Sequence, residues 1–272
     1  MLAQRVATAL VLLAVLVPAI FLAPPWVWGV VSLALLTVAG HEWGRLLGSD
    51  RAGWLLGALL AGGGTVYLVL RGEAPAALAP PALALVVASL GFWLTVAPRS
   101  LARVEPLGPR WAIGALVLAA CWLALYELRL RGPAMLVSCM AVVWIADIGA
   151  YFAGRAFGRR KLAPRVSPGK SWEGVVGGMV AVVAVAAAAS GAGDGWLPGW
   201  LWARAGALGA AALLVALAAL SVVGDLYESL LKRRAGVKDS GRLLPGHGGV
   251  LDRIDALIPT MPGCLLLLHL LR

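Results

Sequence analysis

Hydrophobic residues fall into nine long runs along the chain, and polar segments separate these runs. The runs show no alternation of apolar and polar residues with a period of two, which excludes an outer-membrane β-barrel. Runs of about 20 apolar residues cross a bilayer as helices, because a helix satisfies its own backbone hydrogen bonds in lipid. The pattern therefore predicts an all-α, polytopic membrane bundle of about nine transmembrane helices, at about 6–23, 26–40, 53–70, 79–97, 111–128, 134–152, 175–193, 205–224 and 256–271.

The composition has the same implication. The 272 residues are 61% hydrophobic and 13% charged, with a mean hydropathy of +0.89, whereas a soluble domain has about 45–50% apolar and about 25% charged residues. An ordinary cytosolic enzyme is therefore excluded. Cys121, Cys139 and Cys264 lie inside apolar runs without a CxxC pair, so we expect them to pack as apolar side chains rather than bind zinc or form disulfides.

Basic residues are distributed unevenly between the two sides of the predicted bundle. The chain has 23 Lys and Arg residues against 13 Asp and Glu residues, a net charge of +10, and most of the basic residues fall in the segments on the side of the N-terminus. Since Lys and Arg in short loops stay in the cytoplasm, the distribution predicts a cytoplasmic N-terminus. It also assigns the basic surplus to topology and to phosphate groups, so nucleic acid is not an expected partner.

Chemistry is expected in the second half of the chain. The first 130 residues contain short polar loops and few ionisable groups, whereas two long basic loops, 155–174 and 232–255, follow with acidic residues at the neighbouring helix ends. We therefore divide the chain into an N-terminal transmembrane region of about five spans, residues 1–130, and a C-terminal catalytic region of about four spans, residues 131–272.

Polar residues form a stripe at the end of the eighth run. Ser221, Asp225, Glu228, Ser229 and Lys232 recur at intervals of three and four, so on a continuous helix they share one face. Because an unpaired carboxylate is costly inside a membrane, we expect Asp225 to face protein, water or a cation. The alternative is a structural ion pair between one of the two acidic residues and a basic residue at the helix end.

A turn rich in glycine follows this stripe. Pro245, Gly246, Gly248 and Gly249 break any helix around His247 and leave backbone NH groups free to face an anion. We expect His247 to act in this turn as a hydrogen-bond donor rather than as a proton shuttle.

Two more carboxylates come directly after the turn. Asp252 and Asp255 lie at i and i+3, so they are predicted to converge with Asp225 at the cytoplasmic edge of the bilayer. Oxygen ligands of this kind suit a hard divalent cation such as Mg²⁺. The DxxD pattern alone has a second explanation, because acidic residues also favour helix N-termini.

The first basic loop offers donors for phosphate groups. Gly169-Lys170-Ser171 imitates the end of a Walker A loop, but position 164 is proline where that motif needs glycine, so a P-loop is rejected. Lys161, Lys170, Ser167 and Ser171 can still hold a polyphosphate through charge and hydrogen bonds. The alternative is that the cations are ordinary positive-inside residues beside anionic lipid.

Together these segments resemble a known family. Ser229-x2-Lys232-Arg233-x4-Lys238-Asp239-x-Gly241, continued by Pro245-Gly-His-Gly-Gly-x2-Asp252-Arg253-x-Asp255, resembles the C-terminal signature of the phosphatidate cytidylyltransferase (CDP-diacylglycerol synthase) family. The segments Asp-x2-Ala-Tyr-Phe-x-Gly-Arg, starting at 147, and Lys-Leu-x-Pro-x-Val-Ser-Pro-Gly-Lys-Ser-x-Glu-Gly, starting at 161, resemble the upstream block of the same family. The resemblance covers about residues 144–255.

The resemblance implies the reaction of CTP with phosphatidate to give CDP-diacylglycerol and pyrophosphate, with Mg²⁺ and room for a second, monovalent cation. It implies metal binding by Asp225, Asp252 and Asp255. It further implies catalytic roles for these three and for Lys232, Asp239, His247 and Arg253, and substrate binding by Lys161, Ser167, Lys170, Ser171, Glu173, Ser229, Arg233, Lys238, Gly248 and Gly249.

The implied setting is a bacterial inner membrane with the active site facing the cytoplasm. Two other functions are weighed beside this one: a CTP-dependent transferase that acts on another lipid phosphate, and a cation-coupled transporter with intramembrane carboxylates. The position of the acidic residues beside two basic loops disfavours the transporter. Small-residue steps such as Gly174 to Gly178 pack helices within one chain or between two, so a homodimer stays open.

Overall fold

A computed structural model describes residues 2–73 and 77–272 of the chain. Helices dominate this described part, in the order α1 (Leu2–Phe21), α2 (Pro25–Leu46), α3 (Asp50–Arg71), α4 (Pro80–Gly91), α5 (Ala97–Arg103), α6 (Arg110–Leu130), α7 (Pro133–Phe157), α8 (Trp172–Ala188), α9 (Leu197–Arg234), α10 (Leu251–Ile254) and α11 (Leu257–Leu270). A π-helical turn, Phe92–Val96, joins α4 to α5, and a 3-10 turn, Ser190–Ala192, follows α8.

The predicted helical bundle is confirmed, and each of the nine apolar runs lies on helical residues. Five helical stretches in the described residues are long and apolar enough to cross a membrane: Asp50–Arg71, Pro80–Arg103, Arg110–Leu130, Pro133–Phe157 and Leu197–Arg234. The helix α2 is not among them, because polar residues such as Glu42 lie inside its C-terminal half. The count of nine spans and the cytoplasmic N-terminus stay predictions.

The first basic loop corrects the all-α prediction, because part of it is a β-hairpin. Strands β1 (Lys161–Ala163) and β2 (Ser167–Ser171) pair antiparallel, with Lys161 opposite Ser171. The Ser171 side chain then caps α8 by accepting a hydrogen bond of 3.2 Å from the NH of Gly174. The end of the hairpin thus leads directly into the capped N-terminus of α8.

The second basic loop begins later than predicted, because α9 continues to Arg234. This helix bends at Gly206, whose φ of 67° lies in the left-handed region. The bend falls at the predicted start of the eighth run, and the residues Leu197 to Ala205 precede it. After the bend the helix presents the whole stripe from Ser221 to Lys232 without a break.

Glycines bring α7 and α8 into direct backbone contact. A Cβ at Gly178 would lie 2.6 Å from the carbonyl oxygen of Ala146, and a Cβ at Gly174 would lie 3.0 Å from that of Ala150. The step from Gly174 to Gly178 therefore packs two helices within one chain. This close approach places the start of α8 beside α7.

The two predicted regions share one hydrophobic core. Trp43 of α2 stacks on Tyr227 of α9 with ring centroids 6.2 Å apart, and Phe92 and Trp93 contact the same tyrosine edge-on. The predicted boundary after residue 130 falls in the tight turn between α6 and α7. Helices from the first region thus support the second region directly.

Candidate active site

The candidate site is built where α7, the hairpin, α9 and the segment 235–256 meet. Its centre is the polar stripe of α9, which lies on one face of the helix as predicted. The Ser229 hydroxyl donates to Asp225 Oδ1 at 3.5 Å, and Lys232 Nζ lies 2.5 Å from Glu228 Oε2, each pair four residues apart. The regular helix therefore aligns donors and acceptors without help from other elements.

Lys170 connects the hairpin to this stripe. Its ammonium group forms an ion pair with Asp225 Oδ2, and both side chains are about three-quarters buried. The sequence alternatives placed Asp225 beside a basic residue of its own helix, but its partner comes from β2, 55 residues away along the chain. The predicted phosphate-binding loop and the helix that carries Asp225 thus belong to one site.

A cavity of about 430 Å³ opens beside this ion pair, between α7, α8 and α9. Small and apolar residues form most of its wall, and its polar lining comes from Asp147, Tyr151, Arg155, Lys170, Ser171 and Asp225. A cavity with a mostly apolar wall and several charged lining residues suits an amphipathic ligand.

Asp147 is a functional candidate that the predicted site residues did not include. Its sequence signal was present, because it is a carboxylate inside an apolar run, which is the argument that selected Asp225. In the structure both carboxylates line the same cavity with Lys170.

Lys232 lies between two carboxylates from different elements. Its Nζ is 2.5 Å from Glu228 Oε2 and 2.7 Å from Asp252 Oδ1. Glu228 is only 2% exposed, so the ammonium group compensates a buried anion. The ion pair predicted as an alternative within this helix is therefore formed by Glu228 and Lys232. Asp225 pairs instead with Lys170 of the hairpin.

Asp252 organises the loop in front of it. Its Oδ2 accepts hydrogen bonds from the backbone NH groups of Ser240 at 2.9 Å and Gly249 at 2.8 Å, and its Oδ1 contacts Lys232. Burial raises the pKa of this carboxyl, but the Lys232 ammonium and the Gly249 NH stabilise its charged form more and hold the pKa below its ordinary value. Both oxygens are engaged, so the metal-binding role of Asp252 stays a prediction.

Asp255 lies beside Asp225 at the end of the same segment. Its backbone packs against α9 at Gly224, where a Cβ would lie 2.5 Å from the Asp255 carbonyl oxygen. Burial and the negative charge of Asp225 raise the pKa of the Asp255 carboxyl well above its ordinary value. Two carboxylates within electrostatic range of each other form a place where a cation is favoured.

The three predicted metal ligands do not form a tight cluster. Within residues 2–73 and 77–272, no group of three His, Cys, Asp or Glu side chains has the spacing to hold an ion. Asp225 lies within electrostatic range of Asp255, whereas Asp252 contacts Lys232 and the loop backbone.

Two other predicted substrate-binding residues form hydrogen bonds with the backbone of the first basic loop. Glu173 accepts hydrogen bonds from the NH groups of Arg159 at 3.1 Å and Arg160 at 3.2 Å, which closes the turn before β1. Arg233 Nε donates to the Val166 carbonyl oxygen at 3.3 Å and ties the end of α9 to the hairpin. These contacts are structural in this arrangement.

Hydrogen bonds within the same loop stabilise the glycine turn. The His247 NH donates to the Leu244 carbonyl oxygen at 2.8 Å, and Arg253 Nε donates to the His247 carbonyl oxygen at 2.8 Å. Gly248 has a φ of 83°, and a Cβ there would lie 2.7 Å from Asp252 Oδ2, so glycine is required for both reasons. The NH of the neighbouring Gly249 donates to Asp252 Oδ2.

The remaining predicted donors lie at the rim of the site. Lys161, Lys238 and Asp239 are exposed to solvent, and Ser167 is half-buried on β2. Exposed cations at a rim can reach a nucleotide without breaking an internal ion pair. Their contacts with substrate stay predictions.

Comparisons with known proteins identify the family of the chain. Residues 3–271 match the family model described as the cytidylyltransferase family. A phosphatidate cytidylyltransferase of Pseudomonas aeruginosa is 41% identical over 270 residues, which cover 96% of this chain and 95% of that protein. Proteins of the same name from Haemophilus influenzae and Staphylococcus saprophyticus are 52% identical over 132 residues and 42% identical over 141 residues, covering 48% and 51% of this chain and 44% and 50% of the relatives. The chain therefore belongs to the cytidylyltransferase family.

Proposed function

We propose that this protein is a membrane-embedded phosphatidate cytidylyltransferase, which converts CTP and phosphatidate into CDP-diacylglycerol and pyrophosphate. The observation that carries the proposal is the cavity between α7, α8 and α9. Most of its wall is apolar, and the ion-paired Lys170 and Asp225 are among its polar lining residues. A lipid phosphate needs such a combination of apolar space and charge, and the relatives bear the name of this activity.

The reaction requires alignment more than proton transfer. An oxygen of the phosphatidate phosphate attacks the α-phosphorus of CTP, a new P–O bond forms, and the bond to the β-phosphate oxygen breaks to release pyrophosphate. The attacking phosphate is already ionised near neutral pH, so a strong general base is not needed. Lys170 and Lys232 would neutralise charge on the phosphates. Lys232 belongs to α9, and the ion pair with Asp225 holds Lys170 of β2 against the same helix.

Asp225 and Asp255 fit a hard divalent cation. Both supply carboxylate oxygens, and Asp225 already contacts an ammonium group, which indicates that this position favours positive charge. When bound, Mg²⁺ would supply charge neutralisation on the phosphate oxygens. Asp252 would join the ligand set only if one of its loop hydrogen bonds were exchanged. A second, monovalent cation remains part of the proposal.

The proposed location is a bacterial inner membrane, with the site facing the cytoplasm where CTP is available. The positive-inside distribution of the basic loops supports this orientation. The sequence offers no basic element for nucleic acid beyond these loops. The proposed acceptor is phosphatidate, and a different lipid phosphate is the second candidate, since an apolar wall does not distinguish acyl chains from polyprenyl chains.

Purified protein in detergent tests the proposal. Incubation with radiolabelled CTP, MgCl₂ and dioleoyl phosphatidate is expected to give labelled CDP-diacylglycerol and an equal amount of pyrophosphate. Parallel reactions contain lysophosphatidate or a polyprenyl phosphate, and a further one contains EDTA. Absence of any CDP-lipid with every acceptor would refute the proposal, and a clear preference for a polyprenyl phosphate would favour the second candidate.

A further inference from the structure

A carboxylate from the N-terminal region contacts the loop 240–251 of the candidate active site. Glu42, near the end of α2, is only 3% exposed. Its Oε1 accepts a hydrogen bond of 3.1 Å from the NH of Val250, and its Oε2 accepts one of 2.8 Å from the NH of Leu251. The Ser240 hydroxyl donates to Oε2 at 3.0 Å. A helix about 200 residues earlier in the chain thus binds both ends of the loop 240–251.

Three donated hydrogen bonds compensate the burial of this anion. Among the described residues no Lys or Arg side chain forms an ion pair with Glu42, so its charge depends on the loop for stabilisation. Hydrogen bonds from NH and OH groups to a carboxylate are stronger than those between neutral groups. Removing the charge or an acceptor oxygen would therefore leave donors of the loop unsatisfied.

Two glycines of the loop leave room for this carboxylate. A Cβ at Gly249 would lie 2.5 Å from each oxygen of Glu42, and a Cβ at Gly241 would overlap with Oε1. The loop therefore wraps around the Glu42 side chain at two points where only glycine fits. Both glycines belong to the motif that resembles the family signature.

The same loop residues that bind Glu42 also hold Asp252. The Ser240 hydroxyl donates to Glu42, while the Ser240 NH donates to Asp252 Oδ2 at 2.9 Å. Gly249 packs on Glu42 and its NH donates to the same Asp252 oxygen at 2.8 Å. The shape of the loop around Glu42 thus decides where Asp252 lies, and Asp252 in turn contacts Lys232.

We propose that Glu42 is a positioning residue of the cytidylyltransferase reaction: it holds the loop 240–251 in the shape that places Asp252 against Lys232. The proposal rests on the proposed function for its effect on catalysis. It does not require Glu42 to touch CTP, lipid or metal. The N-terminal region, which supplies none of the predicted site residues, then contributes to the reaction through this one contact.

Glu42→Gln is the direct test, because glutamine keeps the length of the side chain but replaces one acceptor oxygen with an NH₂ group. We expect kcat for CDP-lipid synthesis to fall by about 10- to 100-fold, since small displacements of aligned groups cost this much. The KM for CTP should change by less than about threefold, because the loss lies in alignment rather than in ground-state binding. Hydrogen–deuterium exchange should increase at residues 238–252 and not elsewhere.

Two further variants separate positioning from general stability. Ser240→Ala removes only one donor to Glu42, so it should fold and show a smaller loss of kcat with the same local increase in exchange. Glu127→Gln is the matched control, because Glu127 is also a buried carboxylate, 1% exposed. It accepts hydrogen bonds from Tyr67 and Arg71 at the C-terminal end of α3 and does not contact the loop 240–251 in the hydrogen bonds described. This substitution should leave kcat and the exchange of the loop unchanged.

Unchanged exchange at 238–252 in Glu42→Gln and Ser240→Ala would overturn the proposal. A loss of activity that only follows the loss of folded protein, with exchange raised throughout the chain, would overturn it equally. If the unsubstituted protein makes no CDP-lipid from any acceptor, the proposed function fails instead. The exchange experiment still reports in that case whether Glu42 holds the loop.

Discussion

The ammonium group of Lys170, on the second strand of the hairpin, forms an ion pair with the carboxylate of Asp225 in the middle of the polar stripe of α9. This pair brings the predicted phosphate-binding loop to the predicted metal-binding helix. It lines the cavity between α7, α8 and α9. Charge of both signs is therefore held at the place where a nucleotide and a lipid phosphate are proposed to meet.

Asp225→Asn should nearly abolish activity while the protein still folds and inserts. The asparagine keeps the shape of the side chain but removes the charge that pairs with Lys170 and is proposed to hold a cation. We expect the rate of CDP-lipid synthesis to fall by about 100-fold or more, as for the loss of a group that acts directly on the reacting charges. Initial rates over a range of MgCl₂ concentrations measure the effect.

Asp194→Asn is the control for this substitution. Asp194 is 64% exposed and pairs with Arg204 at 3.2 Å on the surface, and surface ion pairs contribute little. The activity of Asp194→Asn should equal that of the unsubstituted protein. Substantial activity in Asp225→Asn would remove Asp225 from the proposed metal site.

Lys161→Ala should raise the KM for CTP more than it changes the dependence on Mg²⁺. Lys161 is exposed on β1, so its proposed role is to contact the phosphates of CTP at the rim. Its removal should leave the thermal stability of the protein unchanged. Arg103→Ala, at the exposed end of α5, is the matched control for general loss of positive charge. An unchanged CTP dependence in Lys161→Ala would contradict the nucleotide role.

Lys232→Met should destabilise the protein as well as inactivate it. Without the ammonium group, the buried Glu228 and the Asp252 carboxylate lose their shared partner. Breaking a buried ion pair on one side costs about 3–5 kcal/mol. Thermal unfolding in detergent measures the loss of stability.

The double variant Lys232→Met with Glu228→Gln separates the two roles of Lys232. Removal of the uncompensated Glu228 charge should restore much of the stability, whereas activity should stay low, because the Lys232 charge is still missing. Recovery of activity along with stability would show that Lys232 is only structural.

Gly178→Ala should lower stability by separating α7 from α8. The added Cβ would lie 2.6 Å from the carbonyl oxygen of Ala146, and backbone must move to make room. Overpacking of this kind costs about 1–3 kcal/mol. Gly62→Ala in α3 is the control, since no atom lies within 4 Å of its added Cβ, and it should be neutral or slightly stabilising. Equal unfolding temperatures for the two variants would contradict the packing role.

The local order of the site was readable from the sequence. The intervals of three and four placed Asp225, Ser229 and Lys232 on one helix face, and the glycines marked the turn around His247. These features depend only on helix geometry and on the conformational freedom of glycine, which act over a few residues. The extension of α9 to Arg234 and the hairpin were not foreseen, because hydropathy locates apolar runs and not the polar ends of helices.

The partners of the charged groups were not readable in the same way. Asp225 was expected to converge with Asp252 and Asp255. It lies within electrostatic range of Asp255 and forms an ion pair with Lys170 of the hairpin, while Asp252 contacts Lys232 and the loop backbone. Glu42 escaped notice because its partners lie about 200 residues away. Its one local signal was a carboxylate just beyond an apolar run.

The membrane-helical architecture, the asymmetry between the two halves and the family could be predicted from the sequence, because hydrophobic length, charge distribution and motif spacing are properties of the chain. The pairing of charges depends on the fold: Lys170 meets Asp225, Lys232 meets Glu228 and Asp252, and Glu42 meets the loop 240–251. The physical reason is that a buried charge takes the partner that packing brings within hydrogen-bond distance, and packing joins residues without regard to their separation along the chain.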